Sequence, residues 1–166
     1  MSEVSVKAIL ACDEKFGIGK HNTLPWPKNS DDLKEFRDLT TGHVVLMGSK
    51  TWFDPVFPKP LPNRKNYVIT RNQELVLKDA FVINQNIKES IETLIEETKQ
   101  EGKILWVIGG SEIFEMMIPY IEELHLTVFH EDYECNKFIK NPTDCGFIEH
   151  SFELRKDSTK YLFKAV

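Results

Sequence analysis

Three segments with continuous apolar runs constrain the fold of this chain most strongly. They are Val4–Ala11, His43–Gly48 and Lys103–Gly109, and each run is too short to be a typical helix. A strand that is apolar on both faces is typical of the centre of a parallel sheet that helices cover on both sides. Helical patterns alternate with such runs through the first two thirds of the chain, which predicts an α/β fold.

The remaining patterns complete one sheet. Shorter strands are predicted at Asn66–Thr70, Ala80–Ile83 and Glu123–His130, and the tail carries two more at Phe147–Phe152 and Lys160–Ala165. The predicted sheet therefore has eight strands and is mostly parallel, with an antiparallel C-terminal edge. About four helices flank it, beginning near Ser30, Ser49, Ile87 and Glu112. We expect a single domain over residues 1–166.

The clearest helix is Ile87–Lys99, whose apolar residues share one face. Asn86 and Glu89 form an approximate capping box before it, and Gly102 follows its end. Its other face consists of Lys, Glu and Gln, which is typical of a solvated structural helix without chemistry.

Composition excludes several classes of function. The chain has 166 residues, a net charge of −5 and a pI near 5.6, which argues against nucleic acid or an anionic membrane as the main partner. No signal peptide or membrane-spanning run is recognisable, so we expect a cytoplasmic protein. The three cysteines, Cys12, Cys135 and Cys145, lack metal-binding spacing and are odd in number, which argues against a metal site and a disulfide framework. No large apolar stripe is left after the core is assigned, so we expect a monomer.

A long segment without strand or helix periodicity runs from Cys12 to Asn29. Loops of this length inside a compact domain are usually functional or disordered. Its apolar residues Ile18, Leu24 and Trp26 favour a lid that closes over a site.

An acidic residue follows this segment on the apolar face of a helix. Asp31 and Asp32 both lie in the first turn, where carboxylates complement the helix dipole. Dipole compensation explains Asp31 well and Asp32 poorly, because Asp32 shares a face with Phe36. No Lys or Arg lies one turn away on that face, so a bound ligand with paired N–H donors would satisfy the carboxylate.

Two turns between a buried strand and a helix have the character of phosphate sites. Ser49-Lys50-Thr51 follows the His43–Gly48 strand, and Gly109-Gly110-Ser111 follows the Lys103–Gly109 strand. Each is explained equally well as a helix start without a ligand. Arg64 and Arg71 flank the Asn66–Thr70 strand and would suit a carboxylate or a phosphate, although solvated arginines would look the same.

Four motifs in order resemble the dihydrofolate reductase family. They are Gly17-Ile-Gly with Asn22-Thr-Leu-Pro-Trp26, Met47-Gly-Ser-Lys-Thr-Trp52, Leu61-Pro-Asn-Arg-Lys-Asn66 and Val107-Ile-Gly-Gly-Ser-Glu-Ile-Phe114. The match covers Ile9 to Thr127, and the tail is similar only in outline. The resemblance implies reduction of 7,8-dihydrofolate to tetrahydrofolate by hydride transfer from NADPH, and antifolate-like small molecules as further ligands.

The resemblance also implies a role for each matching residue on the substrate side. Asp32 would bind the 2-amino and ring N–H groups of the pterin, Thr127 would support that carboxylate, and a water admitted near Leu24 and Trp26 would donate the proton. Arg64 would clamp the glutamate α-carboxylate. The residues implied to sandwich the pterin and benzoyl rings are Ile9, Leu33, Phe36, Leu61 and Ile108.

On the cofactor side, the resemblance implies that Ala11 and Ile18 face the nicotinamide, and Gly19 is a further candidate for cofactor binding. The residues implied to hold the adenosine phosphates are Lys50, Thr51, Thr70 and Arg71, and Ser49 is a further candidate for cofactor binding. Those implied at the pyrophosphate are Gly109, Gly110, Ser111, Glu112, Ile113 and Phe114, and the family's Gly-Gly peptide is cis.

Some positions depart from common patterns of that family. Ser49 stands where many members carry a basic residue, so a preference for NADPH rests on Lys50 and Arg71. Either Val56 or Phe57 is expected to touch the substrate. Two competing hypotheses remain, a riboflavin-pathway reductase of the same fold and a non-catalytic nucleotide-binding module. Leu24-Pro25-Trp26, Asp32 and Arg64 favour a pterin with a carboxylate tail over the former.

Overall fold

The computed structural model describes residues 4–19, 30–55 and 57–166. The expectations for Leu24, Trp26 and Val56 concern residues outside these ranges. The strands are β1 (Val6–Cys12), β2 (Gly17–Gly19), β3 (Val44–Gly48), β4 (Lys65–Ile69), β5 (Phe81–Ile83), β6 (Leu105–Val107), β7 (Glu123–Phe129), β8 (Lys137–Phe138), β9 (Phe147–Leu154) and β10 (Ser158–Ala165). The helices are α1 (Ser30–Thr40), α2 (Ser49–Trp52), α3 (Ile87–Gln100) and α4 (Ser111–Met117), with a 3₁₀ turn at Pro142–Cys145.

One sheet of eight strands, in the order β5-β4-β3-β6-β1-β7-β10-β9, organises the molecule. The six strands from β5 to β7 are parallel, and β10 and β9 are added antiparallel. The prediction of a mostly parallel eight-stranded sheet with an antiparallel C-terminal edge is confirmed. Because β1, β3, β4, β6 and β7 run in one direction, their carboxyl ends meet at one edge, where open α/β sheets bind ligands.

The central strands are apolar on both faces because they supply two separate cores. On one face Val6, Ala8 and Leu10 pack with residues of α3 and α4. On the other face Ile9 and Val45 pack with Trp52 of α2 and, at the margin, with apolar residues of α1. The period of two along each strand sends alternate residues to opposite cores.

The structure corrects two local predictions. The segment expected to lack periodic structure contains β2, which pairs antiparallel with the unpredicted strand β8. These strands have three and two residues, too short for periodicity to reveal. Asn86 does not form a capping box: it adopts a left-handed conformation with φ of 47°, and its side chain makes no capping hydrogen bond. Gly102, with φ of +69°, lies just beyond α3 as predicted.

Within the described ranges, no helix has the length and apolar character needed to cross a membrane.

Candidate active site

The centre of the site is a row of residues that crosses three neighbouring strands. Ala11 of β1 is paired with Thr127 of β7, which is paired in turn with Lys160 of β10. Paired residues project to the same face of a sheet, and this face is the one that α1 covers. The hydroxyl of Thr127 donates a hydrogen bond of 2.8 Å to Oδ1 of Asp32 on α1. The acid therefore lies close to Ala11, which the family resemblance assigns to the nicotinamide.

The surroundings of Asp32 shift its protonation toward the neutral form. Burial raises the pKa of this carboxyl above its ordinary value, although the Thr127 hydrogen bond and the positive charge of Lys160 oppose the shift. A carboxyl with a raised pKa in a half-buried pocket can accept hydrogen bonds from a ligand and stabilise positive charge on it.

Apolar residues line the same face of the sheet beside Asp32. Ile9 and Leu61 are buried in one cluster, and Phe36 and Ile108 pack against its margin. Leu33 differs, because 41% of its surface is exposed. Phe57 belongs to the same cluster and its ring lies 6.4 Å from that of Trp52.

Arg64 is held at the C-terminal end of α1. Its Nη1 donates to Thr40 Oγ1 at 2.9 Å, its Nε donates to the carbonyl of Pro62 at 2.9 Å, and its guanidinium lies 5.9 Å from the centre of the Phe36 ring. Burial and the nearby charge of Arg37 lower the pKa of Arg64. A guanidinium positioned by neutral partners retains its charge for an external anion, so Arg64 can bind a carboxylate at the margin of the apolar wall.

Two helix starts lie side by side at the carboxyl ends of β3 and β6. The N–H of Gly48 donates to the carbonyl of Gly109 at 2.9 Å, which joins the two turns. Gly48 precedes α2 and Gly110 precedes α4, and neither helix start has a side-chain cap. A Cβ at Gly48 would lie 2.8 Å from Cγ1 of Ile113, so glycine permits this close approach. The peptide between Gly109 and Gly110 is cis, as the resemblance implies.

The other residues expected on the cofactor side surround these turns in different ways. Lys50 and Glu112 are exposed and their charged groups are 3.9 Å apart, one on α2 and one on α4. Thr70 and Arg71 follow the carboxyl end of β4. Ser49, Thr51 and Ser111 are partly exposed on the helix starts. Ile113 and Phe114 are buried in the core, so only their backbone groups could contact a phosphate.

Ile18 and Gly19 are positioned through a buried acid that no sequence pattern singled out. Asp13 is fully buried, and its Oδ1 accepts from the backbone N–H groups of Lys15 (2.9 Å) and Gly17 (2.8 Å). Its Oδ2 accepts from the N–H of Tyr133 at 3.0 Å. The carboxylate therefore joins the turn before β2 to the segment before β8.

A second group of charges, also unrecognised in the sequence, lies behind Asp32. Glu35, one turn further along α1, forms ion pairs with Lys160 Nζ at 2.7 Å and with Arg155 Nη2 at 2.5 Å. Partial burial would raise the pKa of Glu35, but the hydrogen bonds and charges of Lys160 and Arg155 outweigh it and hold that pKa below its usual value. No local pattern could have revealed this group, because Glu35 and Arg155 are 120 residues apart in the chain.

The chain has an α/β fold in which a half-buried acid lies beside an apolar wall on one face of the sheet and two uncapped helix starts follow the strands β3 and β6. A family model described as dihydrofolate reductase matches residues 5–165. The chain therefore belongs to the dihydrofolate reductase family, whose members are NADPH-dependent oxidoreductases.

Relatives from several sources agree with this assignment. Dihydrofolate reductase of Staphylococcus haemolyticus is 31% identical over 137 residues, covering 82% of this chain and 77% of the relative. Dihydrofolate reductase type 8 of Escherichia coli is 36% identical over 141 residues, covering 82% and 80%. The structure of dihydrofolate reductase from Enterococcus faecalis, complexed with NADP(H) and RAB-propyl, aligns with a TM-score of 0.81 at 27% identity over 96% of this chain and 95% of that one.

Proposed function

We propose that this chain reduces 7,8-dihydrofolate to 5,6,7,8-tetrahydrofolate with NADPH and so supplies one-carbon metabolism. The observation that carries the proposal is the position of Asp32. This carboxyl lies on an apolar-walled face, is hydrogen-bonded to Thr127 and is next to the Ala11 row. Family membership favours the same reaction.

The donor groups at the two helix starts fit the cofactor. Backbone N–H groups without side-chain caps, the Thr51 hydroxyl and the charges of Lys50 and Arg71 are suited to phosphate oxygens. When bound, NADPH supplies the hydride. Ala11, Ile18 and Gly19 would face the nicotinamide, and Thr70, Ser49 and the turn from Gly109 to Phe114 would complete the binding surface.

The role of Asp32 follows from its charge and its surroundings. Its two carboxylate oxygens would accept hydrogen bonds from the 2-amino and ring N–H groups of the pterin, while Thr127 holds its orientation. The reaction adds a hydride and a proton to the substrate, and a nearby negative charge favours the protonated pterin. The proton itself would come from a water near Leu24 and Trp26.

The apolar wall would bind the flat rings of the substrate. Ile9, Leu61 and Ile108 would form one side of the binding surface, and Phe36 and Leu33 of α1 would form the other. Arg64, which neutral partners hold at the margin of this wall, would bind the α-carboxylate of the glutamate. Antifolate-like molecules that carry paired N–H donors would occupy the same pocket.

We further propose a monomeric, cytoplasmic protein in which residues 1–166 form one domain. The exposed apolar side chains of β9, Ile148, Phe152 and Leu154, are divided between the two faces of the sheet rather than gathered into one patch. Light scattering coupled to gel filtration would give a mass near 19.3 kDa for the monomer.

The central test follows NADPH absorbance with dihydrofolate for the natural chain, Asp32→Asn and Asp31→Asn. We expect Asp32→Asn to lose turnover by about 10² or more, because removal of one preorganised electrostatic contact has an effect of this size. Asp31→Asn makes the same chemical change on the exposed side of α1 and should retain activity. Equal losses in both variants would contradict the assignment of Asp32.

The same assay separates the competing functions. NADPH binding without oxidation would indicate a non-catalytic binding module. Oxidation with a ribosylaminopyrimidine phosphate but not with dihydrofolate would indicate the riboflavin-pathway reaction.

A further inference from the structure

Glu35, Lys160 and Arg155 form a group of ion pairs, which we call the Glu35 network. It includes none of the apolar residues proposed to bind the substrate rings. Glu35 forms ion pairs with both cations, and Arg155 also contacts Glu153 at 3.1 Å. The side chain of Lys160 is only 11% exposed and that of Arg155 is 22% exposed. Charges with so little access to water interact more strongly with neighbouring groups than charges on the surface do.

The Glu35 network is placed to act on Asp32 from two directions. Glu35 lies three residues after Asp32 on α1 and shares the same face of that helix. Lys160 approaches from β10, where it is paired with Thr127, the residue whose hydroxyl holds Asp32. The positive charges of Lys160 and Arg155 lower the pKa of Asp32, and the negative charge of Glu35 raises it.

The other titratable groups around Lys160 do not change the net charge that acts on Asp32 near neutral pH. His125 of β7 is half-buried, and burial together with Lys160 and Lys7 lowers its pKa to about 4, so it is neutral above that pH. Glu153 contacts the same Nη2 of Arg155 at 3.1 Å, but its side chain is 68% exposed, so water screens its charge. Among the described residues, Glu35 is the one carboxylate that pairs with both Lys160 and Arg155.

We propose that Glu35 is a positioning residue that neutralises Lys160 and Arg155 and thereby sets the protonation of Asp32 and the pH range of the reaction. The inference about rate rests on the reductase function proposed above. Without Glu35, two cations would act on Asp32 without compensation and favour its ionised form. Without Lys160, the charge of Glu35 would favour the protonated form.

The test combines Glu35→Gln, Lys160→Met and the control Glu153→Gln. Asp32 is titrated by NMR with ¹³C-carboxyl-labelled aspartate in the unliganded protein, and Asp32→Asn identifies its resonance. We expect the Asp32 midpoint to move by about 0.5 to 1 pH unit, downward in Glu35→Gln and upward in Lys160→Met. Glu153→Gln should move it by a small fraction of that amount, because its charge is exposed and screened.

A second readout links the charge balance to catalysis. The pH at which the single-turnover rate of NADPH oxidation is half-maximal should move in the same two directions, because a net positive charge disfavours any proton bound at the site. A merely structural role would lower the rate equally at all pH values. If Lys160→Met does not fold, Arg155→Gln removes a positive charge closer to the surface and should give the same upward sign.

The outcomes separate this inference from the function itself. Midpoints that do not move, or that move in the same direction in both variants, would overturn the role of Glu35. Opposite NMR shifts without matching shifts in rate would overturn its effect on the reaction. A natural chain that never oxidises NADPH would overturn the reductase proposal, while the NMR titration would still decide whether Glu35 controls Asp32.

Discussion

Asp32, which we propose as the substrate-binding acid, is also a residue whose burial opposes stability. Burial raises its pKa above the ordinary value of 3.8, so the native state binds this proton more tightly than the unfolded chain. Below the pKa that Asp32 has in the unfolded chain, the carboxyl is protonated in both states, and the native state buries no charge. As pH rises through the native pKa the carboxyl must ionise in a half-buried site, and stability is lost.

The substitution Asp32→Asn should therefore stabilise the unliganded protein near pH 7 while removing its activity. Asparagine keeps an oxygen that can accept the Thr127 hydrogen bond, but it carries no charge to desolvate. Urea unfolding measured from pH 4 to pH 8 should show a gain that grows with pH, after subtraction of the effect of Asp31→Asn. A gain that is the same at every pH, or larger in acid, would contradict desolvation of the carboxylate as the cause.

At the scale of elements, the pairing of β2 with β8 is the feature that local patterns did not reveal. Gly17 pairs with Phe138, and Gly19 pairs with Lys137. Asp13 strengthens the connection through backbone hydrogen bonds on both sides. Short strands of this kind depend on tertiary contacts, because an isolated pair of two- or three-residue strands is not stable in water.

The close approach at Gly17 offers a test of this pairing. A Cβ at Gly17 would overlap Cβ of Cys135 and lie 2.5 Å from its Sγ, so Gly17→Ala should separate β2 from the segment before β8. We expect a loss of about 1–3 kcal/mol in the free energy of unfolding, as for other overpacked sites. NADPH affinity should also weaken, because Ile18 follows directly.

The double variant Gly17→Ala with Cys135→Gly removes the overlapping atoms and is the matched control for that substitution. It should recover part of the stability and of the NADPH affinity, both measured by tryptophan fluorescence. If Gly17→Ala loses neither stability nor NADPH affinity, the backbone of Gly17 is not in close contact with Cys135 in solution.

At the scale of the molecule, one sheet connects two cores. Strands β1 and β3 send alternate residues into the core under α3 and α4 and into the core under α1 and α2. Trp52 and Trp106 both lie in the second core, and the first core contains no tryptophan among the described residues. Neither core can lose its packing without loosening strands that support the other.

We therefore expect a single cooperative unfolding transition. Tryptophan fluorescence, which reports largely on the core under α1, and far-ultraviolet circular dichroism, which reports on all elements, should give coincident midpoints in urea. Trp106→Phe is the control: it removes one of the two tryptophans from the core under α1 and α2, and the midpoints of the two probes should still coincide in this variant. Separate midpoints for the two probes in the natural chain would show that the cores unfold independently.

The sequence by itself determined the elements whose information is local. The continuous apolar runs predicted the central strands, and the spacing of Asp32 and Phe36 placed an acid on the apolar face of α1. The ordered motifs, including Gly109-Gly110-Ser111, indicated the family and the reaction it implies. These features could be predicted because side-chain periodicity and turn chemistry act over a few residues.

Only the tertiary structure decided which distant residues meet. It brought Lys160 and Arg155 from the C-terminal hairpin to Glu35 and Asp32, and it paired two short strands that lack any periodic pattern. The sequence of α1 places no Lys or Arg one turn from Asp32 on its face, and the cations come from another element. Charge pairs and short strand pairs of this kind depend on how the chain is threaded through the sheet, since nothing in their local sequence specifies a partner more than 100 residues away.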